Sequence, residues 1–274
     1  MKTTIDKSVL ARLISFGILT ILTYIPTILW MVDRWGSRDS YYSHGYLVPF
    51  VSAFIVWQMR GKLGKLKAEP SNLGWAFFIG GMAIHLLSAV WRVYFSSGFS
   101  LIIVLIGLVL LFLGKSYLKQ LLFPILFLVS MIPLPLVAIA QISFQLKIFA
   151  AQAATFVINK IGIAAIREGS VIRTMRSYLV VEDPCSGIRS LIALISLGAL
   201  MAYFSNSSRL RKAGLFLSSI PIAVITNIIR IVALYVVSHI YGSQAAMGKF
   251  HDAMGILVFV MAFAGLSLVA KTLE

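Results

Sequence analysis

Residues 181–191 read VEDPCSGIRSL and lead the chain from a polar, charged segment into an apolar run that extends to residue 204. The only cysteine of the protein, Cys185, lies at this junction. A lone thiol at the start of a membrane helix is either a reactive nucleophile or a small buried apolar side chain. The rest of the chain bears on this choice, because a nucleophile needs polar partners at the same depth.

The composition indicates an integral membrane protein. Of the 274 residues, 59% are hydrophobic and only 12% are charged, which is too few charges to cover a soluble globule. The formal net charge of +15 is carried by short basic clusters between apolar runs, a pattern that encodes orientation in a bilayer. We therefore expect no nucleic-acid partner. A single cysteine also excludes an internal disulfide.

Apolar runs along the chain approach the roughly 20 residues that a helix needs to cross a bilayer core of about 30 Å. They comprise residues 10–31, 46–59, 73–91, 98–113, 118–137, 190–204, 214–240 and 253–270. The predicted fold is an all-α polytopic membrane protein with about eight transmembrane helices. We expect one integral membrane domain over residues 1–274.

Residues 138–185 are predicted to form an extracytoplasmic insertion in that domain. Residues 138–160 mix apolar side chains with several glutamines and Lys147, which favours an interfacial amphipathic helix, with a helix in the wall of the bundle as the alternative. Residues 162–181 are rich in β-branched and aromatic residues broken by a Gly-Ser pair, which indicates a short strand pair. This small β element would lie on the outer face and lead to Cys185.

The distribution of lysine and arginine predicts the orientation. With a cytoplasmic N-terminus, the basic residues inside far outnumber those in the short outside loops, and long translocated segments largely escape this rule. The inside set is Lys2, Lys7, Arg12, Arg60, Lys62, Lys65, Lys67, Lys115, Lys119, Arg209, Arg211, Lys212 and Lys271, and the outside set is Arg34, Arg38, Arg92 and Lys249. We therefore expect both termini inside and Cys185 at the outer face.

Two further side chains reach the predicted depth of Cys185. Arg230 lies 16 residues past Gly214 in an apolar run, after roughly 24 Å of helical rise. An arginine at mid-depth costs at least ~2.5 kcal/mol, so it either snorkels to the interface or serves as a fixed cation for a thiolate or an oxyanion. His251 is either a plain interfacial histidine or a general acid/base. The helix N-terminus would favour the thiolate of Cys185.

Other polar residues at the outer face are weaker candidates. His44, His251, Glu182 and Asp183 could together hold a metal ion, but their spacing matches no metal-ligand pattern. We therefore predict no metal site and no cofactor. Arg189, one turn after the cysteine, could bind a substrate carboxylate, help to activate the thiol or contact headgroup phosphates.

Five short motifs follow one another over nearly the whole chain. They are Tyr42-Ser43-His44-Gly45-Tyr46-Leu47-Val48-Pro49, Met131-Ile132-Pro133-Leu134-Pro135, Cys185-Ser186-Gly187-Ile188-Arg189-Ser190, Asn227-Ile228-Ile229-Arg230 and His251-Asp252. In order and spacing they resemble the exosortase and archaeosortase family of membrane cysteine transpeptidases. The histidine in the last helix resembles the bacterial exosortase branch, because arginine is usual there in the archaeal branch.

The resemblance implies a function and roles for these residues. Such an enzyme recognises exported proteins that carry a C-terminal signal made of a Pro-Glu-Pro type motif, a transmembrane helix and a basic cluster. It cleaves near the motif and transfers the protein to an acceptor. Cys185 would be the nucleophile that forms a thioester, Arg230 the transition-state or thiolate stabiliser, and His251 the general acid/base. The residues predicted to bind substrate or to position these groups are Arg189, His44, Asn227, Asp252 and Ser186.

The resemblance also implies the bacterial inner membrane, with the active site facing the periplasm. The expected partners are exported proteins with this signal, together with membrane lipids, and the oligomeric state is not predicted. The residues alone are also compatible with a different function, that of a transporter or lipid-binding scaffold in which Arg230 and Arg189 hold anionic groups. A transferase acting on lipid-linked sugars is a third interpretation, favoured by the adjacent Glu182 and Asp183.

Overall fold

The computed structural model describes residues 7–37, 40–174, 178–181, 185–242, 244–246 and 248–273, except for the side chains of Lys249 and Asp252. The chain forms two compact units, Met1–Leu134 and Pro135–Glu274.

The first unit is helical in its described part. Its helices are α1 (Lys7–Thr23), α2 (Ile25–Gly36), α3 (Val48–Gln58), α4 (Arg60–Leu63), α5 (Leu73–Val90), α6 (Tyr94–Phe112) and α7 (Lys115–Phe127), with 3-10 turns at Ser43–Tyr46 and Leu128–Met131. The axes of α1 and α2 differ by 60°. Pro26 accounts for this bend, because a proline lacks the backbone N–H and its ring clashes with the carbonyl four residues earlier.

The second unit combines long helices with a small sheet. Its elements are α8 (Leu136–Lys160), β1 (Ile166–Glu168), β2 (Val171–Arg173), β3 (Tyr178–Val180), α9 (Ile188–Phe204), α10 (Arg209–Tyr241) and α11 (Lys249–Leu273). The strands are antiparallel in the order β1-β2-β3, and Ile172 of β2 lies opposite Leu179 of β3. The central helix is α10, which packs against α8, α9, α11 and β3.

An apolar core fixes the sheet to the helices of the second unit. Ile158 of α8, Ile172 of β2 and Tyr235 of α10 are fully buried in this core. The turn from α8 into β1 is closed by Asn159, whose Oδ1 accepts a hydrogen bond from the Ala165 N–H at 2.8 Å and whose Nδ2 donates to the Ala165 carbonyl at 3.0 Å. Each buried large apolar side chain contributes roughly 1.5–3 kcal/mol to the stability of the fold. The sheet is therefore held in a fixed position against α10.

The predicted number of about eight spans is not confirmed. In the described residues, five helices are long and apolar enough to cross a membrane, and the bent α1–α2 pair is a sixth candidate. The five are Leu73–Val90, Tyr94–Phe112, Leu136–Lys160, Arg209–Tyr241 and Ala253–Leu273. Two other predicted runs are shorter helices, since α3 has 11 residues and α9 has 17.

The predicted span over residues 118–137 also stops early. Its helix, α7, ends at Phe127 and continues only as a 3-10 turn to Met131. Pro133 and Pro135 follow directly, and the residue before a proline is pushed out of the helical region. The prolines therefore separate α7 from α8.

The segment predicted as an insertion is partly different in the structure. Residues 138–160 belong to one continuous helix, α8, whose length and composition also suit a membrane span. This favours the alternative of a wall helix over the interfacial helix. Residues 162–181 form three strands and not a pair, because β2 pairs with a strand on each side. The single domain over residues 1–274 stays a prediction.

Candidate active site

Cys185 lies in the turn that precedes α9, and only 6% of its surface is exposed. The Val181 N–H donates to the Ser170 carbonyl at 2.9 Å, which extends the strand pairing towards this turn. Residues 182–184 lie outside the described part of the chain, so the predicted roles of Glu182 and Asp183 have no structural account.

Gly187 allows the turn after the cysteine to press against α10. Its φ of +83° is one that side-chain-bearing residues rarely adopt. A Cβ atom at this position would also lie 2.8 Å from Cγ of Asn227. The glycine therefore brings the start of α9 into close contact with the amide of Asn227.

One face of α10 supplies groups to this turn. Asn227 and Arg230 are three residues apart, a spacing that puts both on the same side of a helix. Asn227 is buried, and its Nδ2 donates a hydrogen bond of 3.0 Å to the backbone carbonyl of Cys185. This bond anchors the backbone of the cysteine to α10.

The three residues of the predicted trio are in contact. The Sγ atom of Cys185 lies 3.0 Å from Nε2 of His251. Nη2 of Arg230 lies 3.0 Å from the same Nε2 and 3.4 Å from the His251 backbone carbonyl. The turn before α9 and the helices α10 and α11 thus bring a thiol, a guanidinium and an imidazole together. The catalytic roles of the three residues stay predictions.

The contacts at Nε2 of His251 define what the trio can do chemically. A guanidinium is a hydrogen-bond donor only, so the bond from Arg230 requires an unprotonated Nε2. The thiol of Cys185 is close enough to pass its proton to that lone pair. Such a transfer would give a thiolate and an Nε2–H group, and it would end the acceptor role of Nε2 towards Arg230. The Nη2 donor would then be available to another acceptor.

The five residues predicted to assist the trio are found in different places. Ser186 is buried beside the cysteine, and Asn227 forms the bond described above. Arg189 is exposed on the first turn of α9. The side chain of Asp252 lies outside the described part of the chain, and His44 belongs to the first unit.

His44 lies within a contact between two of the sequence motifs. Its Nε2 is 3.2 Å from the Ser130 carbonyl, and the backbone N–H of Leu134 donates to the Tyr42 hydroxyl at 3.3 Å. Residues 42–49 therefore contact residues 130–134 within the first unit. Burial lowers the pKa of His44 below 6.5, and the hydrogen bond to Ser130 opposes this shift only in part.

Metal-binding geometry is not found among the described residues, where no group of three or more His, Cys, Asp or Glu side chains could hold an ion.

An apolar cavity of about 170 Å³ adjoins the trio. Its walls include Cys185, His251, Leu179, Ile231 and Leu234. Leu179, Ile231 and Leu234 were not among the predicted site residues, because apolar residues do not stand out in apolar runs. A signal was present for two of them, since positions 231 and 234 follow Asn227 and Arg230 at helical spacing.

Comparisons with known proteins add one match. Residues 35–268, most of the chain, match the family model described as transmembrane exosortase (Exosortase_EpsH). No curated protein and no solved structure matches the chain.

Proposed function

The chain belongs to the transmembrane exosortase family, a family of membrane cysteine peptidases and transpeptidases, and we propose that it cleaves and transfers exported proteins through a thioester on Cys185. The proposed substrates carry a C-terminal Pro-Glu-Pro type motif, a transmembrane helix and a basic cluster. The observation that carries the proposal is the contact of Cys185 Sγ with His251 Nε2 at 3.0 Å, because a nucleophile needs a base within hydrogen-bond reach.

The first half of the reaction forms the thioester. The thiol proton moves to Nε2 of His251, and Sγ of Cys185 attacks the scissile carbonyl. Negative charge develops on the carbonyl oxygen, which can accept the hydrogen bond that Nη2 of Arg230 donated to Nε2 before Nε2 was protonated. The C–N bond then breaks, the leaving amine takes the proton from Nε2, and the acyl group stays on Sγ.

The second half of the reaction releases the acyl group. An acceptor nucleophile gives its proton to Nε2 of His251 and attacks the thioester carbon. The C–S bond breaks, and the thiolate of Cys185 leaves and recovers the proton from Nε2. Transfer occurs when the acceptor is another molecule with a nucleophilic group, and hydrolysis occurs when it is water.

The proposed location is the bacterial inner membrane, with both termini inside and the trio facing the periplasm. The distribution of lysine and arginine supports this orientation. The cleavage motif of such a substrate lies just outside its own transmembrane helix, so an active site at the outer face would meet the motif directly. Membrane lipids would surround the described spans.

The test is the processing of an exported reporter protein with this signal, followed by immunoblot in cells that express the full chain. Cys185→Ala and Cys185→Ser should leave the reporter uncut, with the rate lowered roughly a thousandfold or more. Ser196→Ala, a small change in α9, the helix that follows Cys185, should process the reporter normally and shows that this region tolerates substitution. Normal processing by an inserted Cys185→Ala protein would overturn the proposal.

Arg230→Ala distinguishes this proposal from the transporter or lipid-binding alternative. If Arg230 stabilises the oxyanion, the Arg230→Ala substitution should lower the rate of processing roughly 100- to 1000-fold. The alternative expects Arg230→Ala to impair binding or transport while Cys185→Ala has no effect. Loss of processing in both Arg230→Ala and Cys185→Ala supports the enzymatic function over the transporter or lipid-binding one.

A further inference from the structure

The cavity beside the trio has a strongly apolar wall. Besides Leu179, Ile231 and Leu234, its lining includes Val181 and Ala246. All five residues are buried. Among the described lining residues, the only polar side chains are those of Cys185 and His251.

The size of the cavity matches one aliphatic side chain. Its volume is about 170 Å³, and an apolar cavity of roughly 150 Å³ in another protein takes up a molecule of benzene. A charged group in such a cavity would lose its hydration, which costs several kcal/mol unless an opposite charge replaces the water, and the described lining residues include no lysine, arginine, aspartate or glutamate. The cavity therefore suits an aliphatic group and disfavours an acidic or basic one.

The position of the cavity fixes which part of a substrate could enter it. Cys185 is one of the residues that line the cavity. A carbonyl carbon under attack lies about 3 Å from the nucleophilic sulfur. The first side-chain atom of the residue that supplies this carbonyl, its Cβ, is two bonds from the carbonyl carbon. It is therefore close enough to reach the space between β3, α10 and the turn at Ala246.

Resting on the proposed function, we propose that this cavity is the specificity pocket of the enzyme. It binds one aliphatic side chain of the substrate, that of the residue whose carbonyl Cys185 attacks. Leu234 and Ala246 both line it, and only 2% of each is exposed, so the sizes of their side chains limit what the cavity can hold. An acidic side chain at the same substrate position is rejected.

The test uses peptidyl chloromethyl ketones whose last residue is Ala, Leu, Phe or Asp, with the purified full chain. In this reaction the sulfur of Cys185 displaces chloride, so that a C–S bond forms, the C–Cl bond breaks and the thiol proton is lost to a base. Mass spectrometry measures the rate of alkylation at Cys185. The Leu probe should react at least about tenfold faster than the Asp probe, with the Ala probe between them.

Two pocket variants should change this preference in opposite directions. Ala246→Leu should slow the Leu probe roughly tenfold, to about the rate of the Ala probe, and leave the Ala probe unchanged. Leu234→Ala should speed the Phe probe relative to the Leu probe by a similar factor. Leu217→Ala is the control, because Leu217 lies on α10 like Leu234 but has 57% of its surface exposed. This variant should react with the probes in the same order of rates as the wild type.

The failures of the two proposals can be told apart. Equal rates for all probes, a faster Asp probe, or an unchanged preference in Ala246→Leu would overturn the specificity pocket while leaving the reactive thiol intact. Labelling of Cys185 by none of the probes would overturn the proposed function itself, and the pocket with it.

Discussion

Asn227 acts on the cysteine through the protein backbone. Its Nδ2 holds the Cys185 carbonyl at 3.0 Å, and its amide also contacts the turn at Gly187. The side chain does not need to touch a substrate to matter, because the direction of Sγ depends on the backbone it is attached to. We therefore propose that Asn227 is a positioning residue.

Asn227→Asp should separate this role from a purely structural one. The carboxylate has nearly the same size but cannot donate to the Cys185 carbonyl, and loss of such a buried bond costs about 1–3 kcal/mol. We expect kcat for reporter cleavage to fall roughly tenfold or more with little change in KM. Asn206→Asp makes the same chemical change at an exposed residue and should leave both constants unchanged. Equal kcat in Asn227→Asp would contradict the assignment.

His44 should make the stability of the protein depend on pH. Its pKa is lowered by burial from 6.5, so the unfolded chain binds more protons than the folded one below that pH. The stabilisation is complete above pH 6.5 and is lost as the pH falls through the folded pKa. In thermal unfolding scans in detergent, His44→Gln should show a shallower loss of stability below pH 6.5. The difference between the two proteins should stay constant between pH 7.5 and 8.5, and identical acid-side slopes would contradict the expectation.

The trio could be predicted from sequence because each member is conspicuous. Cys185 is the only cysteine, and Arg230 interrupts an apolar run in which a charge is costly. Their common depth in the membrane is a prediction from helix direction. Ala246 and Leu234 could not be predicted in the same way, because a pocket wall differs from an ordinary core residue only by the empty space beside it.

Glycine contacts determine how closely α5 and α6 pack in the first unit. A Cβ atom added to Gly107 of α6 would lie 2.6 Å from the backbone nitrogen of Phe78 and 3.1 Å from the carbonyl oxygen of Gly74. Both atoms belong to the backbone of α5, so neither can move away alone. Small residues allow such close contact between membrane helices.

Gly107→Ala should therefore destabilise the protein, whereas Gly80→Ala should not. Overpacking of this kind typically costs about 1–3 kcal/mol. A Cβ atom at Gly80, also in α5, meets nothing within 4 Å, and alanine has the higher helix propensity by about 1 kcal/mol. Thermal unfolding in detergent should give a lower midpoint for Gly107→Ala and an equal or higher one for Gly80→Ala. The reverse order would refute the close contact.

The helices that the sequence predicted well are those with long, uninterrupted apolar runs. For α5, α6, α10 and α11 the predicted ranges lie within the observed helices or extend past them by one residue. The errors occurred where apolar composition and helix geometry disagree: at the bend after α1, at the prolines after α7 and in the short helix α3. Hydropathy reports how apolar a segment is, but it does not report where a proline ends a helix.

At the scale of the whole molecule, the two units carry different motifs. The first unit contains the contact between residues 42–49 and 130–134, and the second contains Cys185, Arg230 and His251. The family match extends over residues 35–268 and so includes parts of both units. Three contacting side chains within one unit give the proposed chemistry a local origin, in the turn before α9 and in α10 and α11.

The most direct test of the thioester proposal is the detection of its intermediate. The purified full chain is mixed with a reporter that carries the sorting signal, quenched in acid within seconds and digested for mass spectrometry. We predict an acyl adduct on the peptide that contains Cys185, released by hydroxylamine, increased when acceptor is withheld and absent from Cys185→Ala. Cleavage of the reporter without an adduct on Cys185, at a rate that Cys185→Ala reproduces, would contradict the account.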